Sequence, residues 1–248
     1  MNNDIAKIFN IKKKDIITVI GAGGKTSFIN YISKELRYEC SVLLTTTTKI
    51  YMPNKDLYDR ICLLQNVNNS DIYENKNGVT VIGKYINNEN KIIGLDFNEL
   101  KGLDQTFDLL LIEGDGSKRK KLKGWNENEP VVYNKTTKTI GILDITSYNM
   151  EISDENIHRL KKFKYLIDIK NINDKYINLD MLYQMILNKN GLFKNAIGDK
   201  ILFINKVENK YYEDLSIQLA KKITKQNKDI KICYGSIKLE VFKIFKDY

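Results

Sequence analysis

The chain alternates short apolar runs, typical of buried strands, with segments whose apolar residues recur every three or four positions, typical of helices. Most of the apolar runs are continuous, which favours a parallel sheet covered on both faces. We predict strands at residues 16–20, 42–45, 60–64, 109–113, 139–143, 165–169, 200–204 and 230–234. We predict helices at residues 26–37, 153–163, 179–188, 211–225 and 239–246. Residues 79–82 and 91–93 are predicted to form an antiparallel hairpin that turns within residues 86–90.

This alternation predicts an α/β fold, with a doubly wound, mostly parallel sheet, helices on both faces and a small β-hairpin insertion. Proline occurs only at Pro53 and Pro130, and no repeat or linker is visible, which favours one domain over residues 1–248. Ligands of such folds bind beyond the carboxyl ends of the strands. We therefore expect the functional residues to follow predicted strands.

The segment ITVIGAGGKTSFINYI, which begins at Ile17, joins a predicted strand to a predicted helix through a glycine turn. Helix N-termini bind anions because their N–H groups are unpaired and the helix dipole favours negative charge. The segment differs from the common phosphate-binding loop, because Val19 stands where that loop has its first glycine. The alternative is a structural turn with a solvated lysine. We predict a loop like that of P-loop NTPases, in which the phosphate-binding residues are Gly21, Ala22, Gly23, Gly24, Lys25, Thr26 and Ser27.

Two acidic residues follow the predicted strand 109–113. Glu113 and Asp115 are two positions apart, so an extended backbone points both side chains the same way. Acids at this place in phosphate-binding enzymes hold Mg²⁺ or orient a water molecule. We predict that Lys25, Glu113 and Asp115 are catalytic, and that Thr26 binds Mg²⁺ together with Asp115 or Glu113. The alternative is an acidic loop without function.

A basic run, SKRKKLK, occupies residues 117–123 and directly follows the acidic pair. It predicts a site for an anionic substrate such as a second phosphate or a pyrophosphate; a solvated basic surface is the alternative. Trp125 is expected either to stack on a planar ligand or to anchor the loop. Threonines 45–48 follow another strand, where a threonine can sense Mg²⁺ and the γ-phosphate. The predicted substrate-binding residues are Thr47, Thr48, Lys118, Arg119, Lys123 and Trp125.

The segment ILFINKVENK places Asn205, Lys206 and Glu208 after a predicted strand. It resembles the Asn-Lys-x-Asp element with which GTPases recognise guanine, and we predict that these three residues bind the base. Glu208 stands where that element has aspartate, so the choice between GTP and ATP stays open.

Composition narrows the function classes. The 248 residues carry a formal net charge of +9, but the lysines are spread along the chain and no nucleic-acid-binding motif is visible, so we expect no nucleic-acid partner. No signal peptide or membrane-spanning run is apparent, which predicts a cytoplasmic protein without a membrane partner. We expect Cys40, Cys62 and Cys233 to be reduced thiols and His158 to be a surface residue.

Taken in order, GAGGKTS, TTTTKI, EGDGSKRKKLKGWNENEP and NKVE resemble the YqeC family over nearly the whole chain. The resemblance implies a cytosolic, nucleotide-binding accessory protein of selenium-dependent molybdenum hydroxylases. Its implied partners are the hydroxylase and an anionic, molybdopterin-type cofactor, which would suit the basic run. We expect Mg²⁺ and GTP or ATP as cofactors and an NTP hydrolase or NTP-dependent transferase as the activity. A carrier module switched by nucleotide, and a small-molecule kinase, are the alternatives.

Overall fold

The computed structural model of the protein describes residues 4–66, 76–167 and 175–246. The strands within these ranges are β1 (Asp15–Gly21), β2 (Ser41–Thr46), β3 (Lys49–Tyr51), β4 (Arg60–Leu63), β5 (Gly78–Gly83), β6 (Lys91–Ile93), β7 (Leu109–Glu113), β8 (Leu122–Lys123), β9 (Lys138–Asp144), β10 (Ile157–His158), β11 (Asp199–Asn205), β12 (Ile230–Ser236) and β13 (Val241–Ile244). The helices are α1 (Asp4–Ile8), α2 (Lys25–Leu36), α3 (Phe97–Leu100), α4 (Leu103–Thr106), α5 (Leu160–Leu166), α6 (Leu179–Leu187) and α7 (Lys210–Gln226).

Nine of these strands form one sheet in the order β13-β12-β11-β9-β1-β7-β2-β5-β4. All neighbouring strands in this sheet are parallel except β12 and β13, which are antiparallel. Every residue of β1, β2, β7 and β9 is buried, as expected for parallel strands covered on both faces. The α/β class and the mostly parallel sheet predicted from the sequence are therefore confirmed.

The core lies on both faces of the sheet because successive side chains of a strand point to opposite sides. Ile17 and Val19 of β1 pack in a cluster with residues of α2, whereas Ile20 packs in a second cluster with residues of α6 and α7. Strand β1 is thus held at the centre of the sheet, between β9 and β7. Its carboxyl end, where the glycine turn begins, is fixed from both faces.

The predicted strand 165–169 is wrong in the residues that the structure describes, and the predicted helix 153–163 is helical only over residues 160–163. Residues 160–166 form α5, because Phe163 and Leu166 recur with helical spacing and are both buried. Upstream, residues 157–158 form β10, which pairs with β8 over two residues. Such a short pairing leaves no periodic signal in the sequence. Residues 168 and 169 of the predicted strand lie outside the described residues.

Two further predictions are corrected at the edges of the fold. Residues 79–82 belong to β5 in the main sheet, whereas β6 pairs antiparallel with β3, and a small hairpin joins residues 84–87 to residues 91–93 instead. Residues 241–244 of the predicted helix 239–246 form the edge strand β13, which pairs with β12 through Phe242 opposite Gly235. Long-range pairing overrides the predicted local hairpin in the first place and the local helical pattern in the second.

No helix within the described ranges is both long and apolar enough to cross a membrane. Cys40, Cys62 and Cys233 form no disulfide. Burial raises the pKa of the Cys40 thiol to about 11 and that of the Cys233 thiol to about 12, so both stay protonated at neutral pH.

Candidate functional site

The glycine turn forms a tight loop at the carboxyl end of β1 and leads directly into α2. Gly21, Gly23 and Gly24 have φ angles of 101°, 80° and 138°, which favour glycine over other residues. A Cβ on Gly23 would lie 2.2 Å from the Cβ of Asp144, so the loop also needs glycine for space. Gly24 is the N-cap of α2 and supplies no side-chain acceptor. The N–H groups of the first turn are therefore available to a ligand.

Lys25, in the first turn of α2, folds back onto the loop. Its Nζ donates to the carbonyl oxygen of Gly21 at 2.6 Å and lies 3.4 Å from Oδ1 of Asp115. The side chain is only 3% exposed. The ammonium group is thus held inside the loop by internal partners.

Asp115 is fully buried and binds four groups of the protein. Its carboxylate accepts from the Gly21 N–H at 3.0 Å and from the Trp125 indole N–H at 2.7 Å. It also pairs with the ammonium groups of Lys25 and Lys123, the latter at 2.9 Å. Burial alone would raise the pKa of Asp115, but the two lysines and the hydrogen bonds outweigh it and lower the pKa. Asp115 is therefore an ionised anchor that joins the loop, Lys123 and Trp125.

Glu113, the last residue of β7, faces the first turn of α2. Its Oε2 accepts a hydrogen bond from Oγ1 of the exposed Thr26 at 2.9 Å. Burial raises the pKa of Glu113 above its ordinary value, and the nearby Lys25 and Thr26 only partly oppose this. Two hard oxygen atoms thus lie side by side next to the loop, which is the kind of donor set that Mg²⁺ takes. No cluster of three or more His, Cys, Asp or Glu side chains suited to a metal ion occurs within the described ranges.

The threonines at the end of β2 and just after it form hydrogen bonds with the acidic end of β7. Thr46 Oγ1 donates to the carbonyl oxygen of Glu113 at 2.7 Å, and the N–H of Thr47 donates to the same oxygen at 3.2 Å. The hydroxyl of Thr47 donates to the carbonyl of Val131, and Thr48 exchanges a hydrogen bond with Thr46. The hydroxyls of Thr47 and Thr48 thus have internal partners.

A third acidic residue, which we did not identify from the sequence, lies on the other side of the loop. Asp144 is buried at the end of β9 against Gly23 and accepts from Lys206 Nζ at 2.5 Å. Asn205 at the end of β11 donates to the carbonyl oxygen of Gly23 at 3.1 Å. An acidic residue ending an apolar run was the available signal, as it was for Glu113. Asn205 and Lys206 thus adjoin the loop, through Gly23 and Asp144 respectively.

The remaining predicted site residues differ from one another in their exposure and in their partners. Glu208 is exposed and pairs with Lys238 at 3.3 Å; within the described ranges no hydrogen bond or ion pair joins it to the loop. Trp125 is buried among core residues, so its contacts are those of the loop anchor that was one of its two interpretations. Lys123 is 1% exposed and also approaches Glu129. Lys118 and Arg119 are exposed, with left-handed φ angles of 51° and 62°.

The prediction that His158 lies on the surface is wrong. Its exposed fraction is 9%, and it follows Ile157 in β10 beside Lys123. Burial, reinforced by the positive charges of Arg159 and Lys123, lowers the pKa of His158 to about 4. The imidazole is therefore neutral at physiological pH.

Comparison with known proteins gives one family. The family described as YqeC protein matches residues 17–161, which include the glycine loop, the threonines, the acidic pair and the basic run. The chain is also 28% identical over 205 residues to "Uncharacterized protein YqeC" of Escherichia coli (strain K12), covering 79% of this chain and 77% of that protein. No solved structure matches the chain significantly.

Proposed function

We propose that this chain, which belongs to the YqeC family, is a magnesium-dependent nucleotide-binding protein with a P-loop NTPase-like site at residues 21–27. The observation that carries the proposal is the hydrogen bond between Thr26 and Glu113 beside a helix N-terminus that lacks a side-chain cap. An uncapped helix N-terminus, which suits a phosphate group, and two oxygen atoms that suit Mg²⁺ thus adjoin each other at the centre of a mostly parallel sheet, and such folds bind ligands at the carboxyl ends of their strands.

The phosphate groups would be held by the backbone. N–H groups of the α2 first turn and the α2 dipole both favour an anion above Gly24. Gly23 and Gly24 lack side chains, so a phosphate can approach the backbone closely. Asp144 and Asn205 contact the loop from the side of β9 and β11 and help to fix its backbone conformation.

Lys25 would change partners when a phosphate binds. Its ammonium group now contacts Gly21 and Asp115, and both contacts would weaken as it turned toward a triphosphate. Asp115 would keep Lys123 and the Trp125 indole, so its buried charge would stay compensated. Asp115 therefore suits the role of loop anchor, and the proposal assigns the metal-binding oxygen atoms to Thr26 and Glu113.

Mg²⁺ would supply charge neutralisation at the phosphates when bound between Thr26 and Glu113. Glu113 is also the acid closest to the loop that is not tied to a lysine by an ion pair within the described ranges. The pKa of Glu113 is raised in the unliganded protein, and bound Mg²⁺ would lower it. The carboxylate would then accept a proton from an attacking water molecule or substrate oxygen through an oxygen atom that does not contact the metal. We therefore propose hydrolysis or transfer of the terminal phosphoryl group, with Glu113 as the base.

A thermal-shift titration tests this proposal. GTP, GDP, ATP and ADP are added with and without Mg²⁺ to the parent and to Lys25→Ala. A nucleotide at about 100 times its dissociation constant adds about 2.7 kcal/mol to the free energy of unfolding. Lys25→Ala should weaken triphosphate binding by about 1.5–3 kcal/mol, because a charge-assisted contact is lost. Absence of a shift with all four nucleotides would refute the proposal.

Turnover separates the enzyme from the carrier alternative. Phosphate release by the parent that is lost in Glu113→Gln would support catalysis. Tight binding without release would favour a nucleotide-switched carrier, in which the exchange of Lys25 between Asp115 and phosphate would be the switch. A role as accessory protein in the maturation of a selenium-dependent molybdenum hydroxylase is proposed from the motif resemblance alone. Nucleotide-dependent co-purification with such an enzyme would test it.

A further inference from the structure

A group of cations surrounds Tyr51 on the β2–β7 side of the loop. Tyr51 ends β3 and pairs with Lys91 of β6, whose Nζ lies 4.9 Å from the centre of the tyrosine ring. The guanidinium carbon of Arg119 lies 4.6 Å from the same ring centre. Lys118 adjoins Arg119, and Lys49 begins β3. We call Lys49, Tyr51, Lys91, Lys118 and Arg119 the tyrosine–cation cluster.

The cluster carries more positive charge than its own acid can balance. Within the described ranges, Glu89 is the carboxylate that pairs with it, through Lys91 at 2.7 Å. That hydrogen bond, with smaller effects of Lys49 and Lys118, lowers the pKa of Glu89. One carboxylate therefore serves several cations, and an anionic ligand would relieve the repulsion between the lysines.

Arg119 is held in a way that leaves its donors available. Its guanidinium rests on the Tyr51 ring, and no carboxylate or carbonyl of the described residues accepts a hydrogen bond from it. The N–H groups along the guanidinium edge are therefore available to a ligand. Those edge donors match the oxygen atoms of a phosphate group in a bidentate arrangement.

The cluster lies close to the acidic strand end. Thr47, which binds the carbonyl of Glu113, precedes Tyr51 by four residues, and Asp115 precedes Arg119 by four. Four residues span at most about 14 Å. Asp144, Asn205 and Lys206 lie beyond β1 on the opposite side, at the ends of β9 and β11. A ligand on the cluster would therefore lie on the side of Glu113 away from these residues.

We propose that the tyrosine–cation cluster binds the phosphate group of a second small-molecule substrate beside the nucleotide. Arg119 and Lys118 contact the phosphate oxygen atoms, and Tyr51 positions the guanidinium. Lys49 and Lys91 add long-range attraction. The proposal rests on the proposed function only for the identity of the first ligand.

The test is a ³¹P NMR titration of phenyl phosphate into the parent saturated with nucleoside diphosphate and Mg²⁺, so that the glycine loop is occupied. The double variant Lys118→Gln/Arg119→Gln should raise the dissociation constant by about tenfold or more, because a bidentate contact and a charge are lost. The matched control, Lys225→Gln/Lys228→Gln, removes the same charge from exposed residues around the end of α7 and should change little. Equal binding by the cluster variant and the parent would overturn the proposal.

Single variants separate the contribution of the planar guanidinium from that of its positive charge. Arg119→Lys keeps the charge but loses the planar fork, so it should bind phenyl phosphate more weakly than the parent. Tyr51→Ala should weaken binding, and Tyr51→Phe should restore it because the ring alone positions Arg119. Inorganic phosphate is titrated alongside: tighter binding of the ester identifies an ester site, and equal binding identifies a site for the phosphate group itself. Parent-like binding by Arg119→Lys and Tyr51→Ala would contradict the assigned geometry.

The two proposals fail separately. Nucleotide affinity measured on the same preparations should fall much less than phenyl phosphate affinity in the cluster variant, because the glycine loop is intact and only long-range attraction is lost. If no nucleotide binds to the parent, the proposed function fails, and phenyl phosphate binding that depends on Lys118 and Arg119 would still support the cluster. If nucleotide binds but phenyl phosphate does not, the cluster proposal fails alone.

Discussion

At the residue scale, the two acids at the end of β7, Glu113 and Asp115, have opposite environments although only Gly114 separates them. Asp115 is surrounded by donors and two ammonium groups, which keep it ionised. Glu113 has one hydroxyl donor and lies in a buried setting that disfavours its charge. Two groups whose environments push their pKa values apart commonly have different roles. The roles proposed above follow this division, with Asp115 as a structural anchor and Glu113 as the reactive carboxylate.

Glu113→Gln is expected to stabilise the unliganded protein while it removes Mg²⁺ dependence. The folded-state pKa is raised, so the ionised form costs stability at pH values above that pKa, and the cost disappears as pH falls below the unfolded value. Glutamine resembles the protonated form and can still accept from Thr26. Chemical denaturation at pH 7 should show a higher free energy of unfolding for the variant, with Glu127→Gln as the exposed control.

The same pKa shift sets the pH dependence of ligand binding. The Mg²⁺-dependent part of nucleotide affinity should decline with falling pH at a higher value than an ordinary glutamate would give, because Glu113 takes up a proton early. Glu113→Gln should lack this decline. If Glu113→Gln is less stable than the parent at pH 7, or if it keeps the Mg²⁺ dependence of the parent, the roles assigned to Glu113 are contradicted.

At the element scale, the β1–loop–α2 unit is shaped by what touches it from neighbouring strands. A Cβ on Gly24 would lie 2.4 Å from Nδ2 of Asn205, and one on Gly23 would strike Asp144. Both contacts come from the carboxyl ends of parallel strands, β11 and β9. The loop conformation is thus determined by the sheet as much as by the glycines.

Gly24→Ala should therefore destabilise the protein more than Gly102→Ala does. Both glycines are N-caps with positive φ, of 138° and 102°, so both substitutions introduce backbone strain. Gly102 has no atom within 4 Å of its Cβ position, whereas at Gly24 the Asn205 side chain must move. Urea denaturation should show the larger loss for Gly24→Ala, and nucleotide affinity should fall in that variant alone. Equal losses would show that Asn205 yields without cost.

Elements set by local pattern were predictable, and those set by distant pairing were not. Predictions for β1, α2, β7, α6 and α7 agree with the structure to within two residues, because apolar runs and helical spacing are local. β3, β8 and β10 have three residues or fewer and depend on partners far along the chain. The contacts among Lys25, Asp115, Lys123 and Trp125 were equally inaccessible, because sequence spacing does not say which lysine meets which carboxylate.

At the scale of the whole molecule, a few charged groups are buried in ion pairs, whereas most lie on the surface. Asp115 with its lysines and the Asp15–Lys138 pair are buried, so salt screens them little. Most of the remaining charge lies on the surface, where the lysine excess gives a net charge of +9. Surface repulsion opposes folding, but the same net positive charge would attract anionic ligands.

Salt should therefore have opposite effects on stability and on ligand binding. Raising NaCl from about 0.05 M to about 0.5 M shortens the screening length severalfold, so repulsion between surface lysines weakens and the melting temperature of the unliganded protein should rise. Over the same range the dissociation constants of nucleotide and of phenyl phosphate should increase, because the attraction of anions is screened. Differential scanning fluorimetry and calorimetric titration measure the two effects.

Lys225→Gln/Lys228→Gln should weaken the salt dependence of melting and leave ligand affinity nearly unchanged, since neither residue belongs to a proposed ligand site. A melting temperature that falls with salt would show that surface ion pairs such as Lys210 with Asp214 stabilise the fold more than the net charge destabilises it.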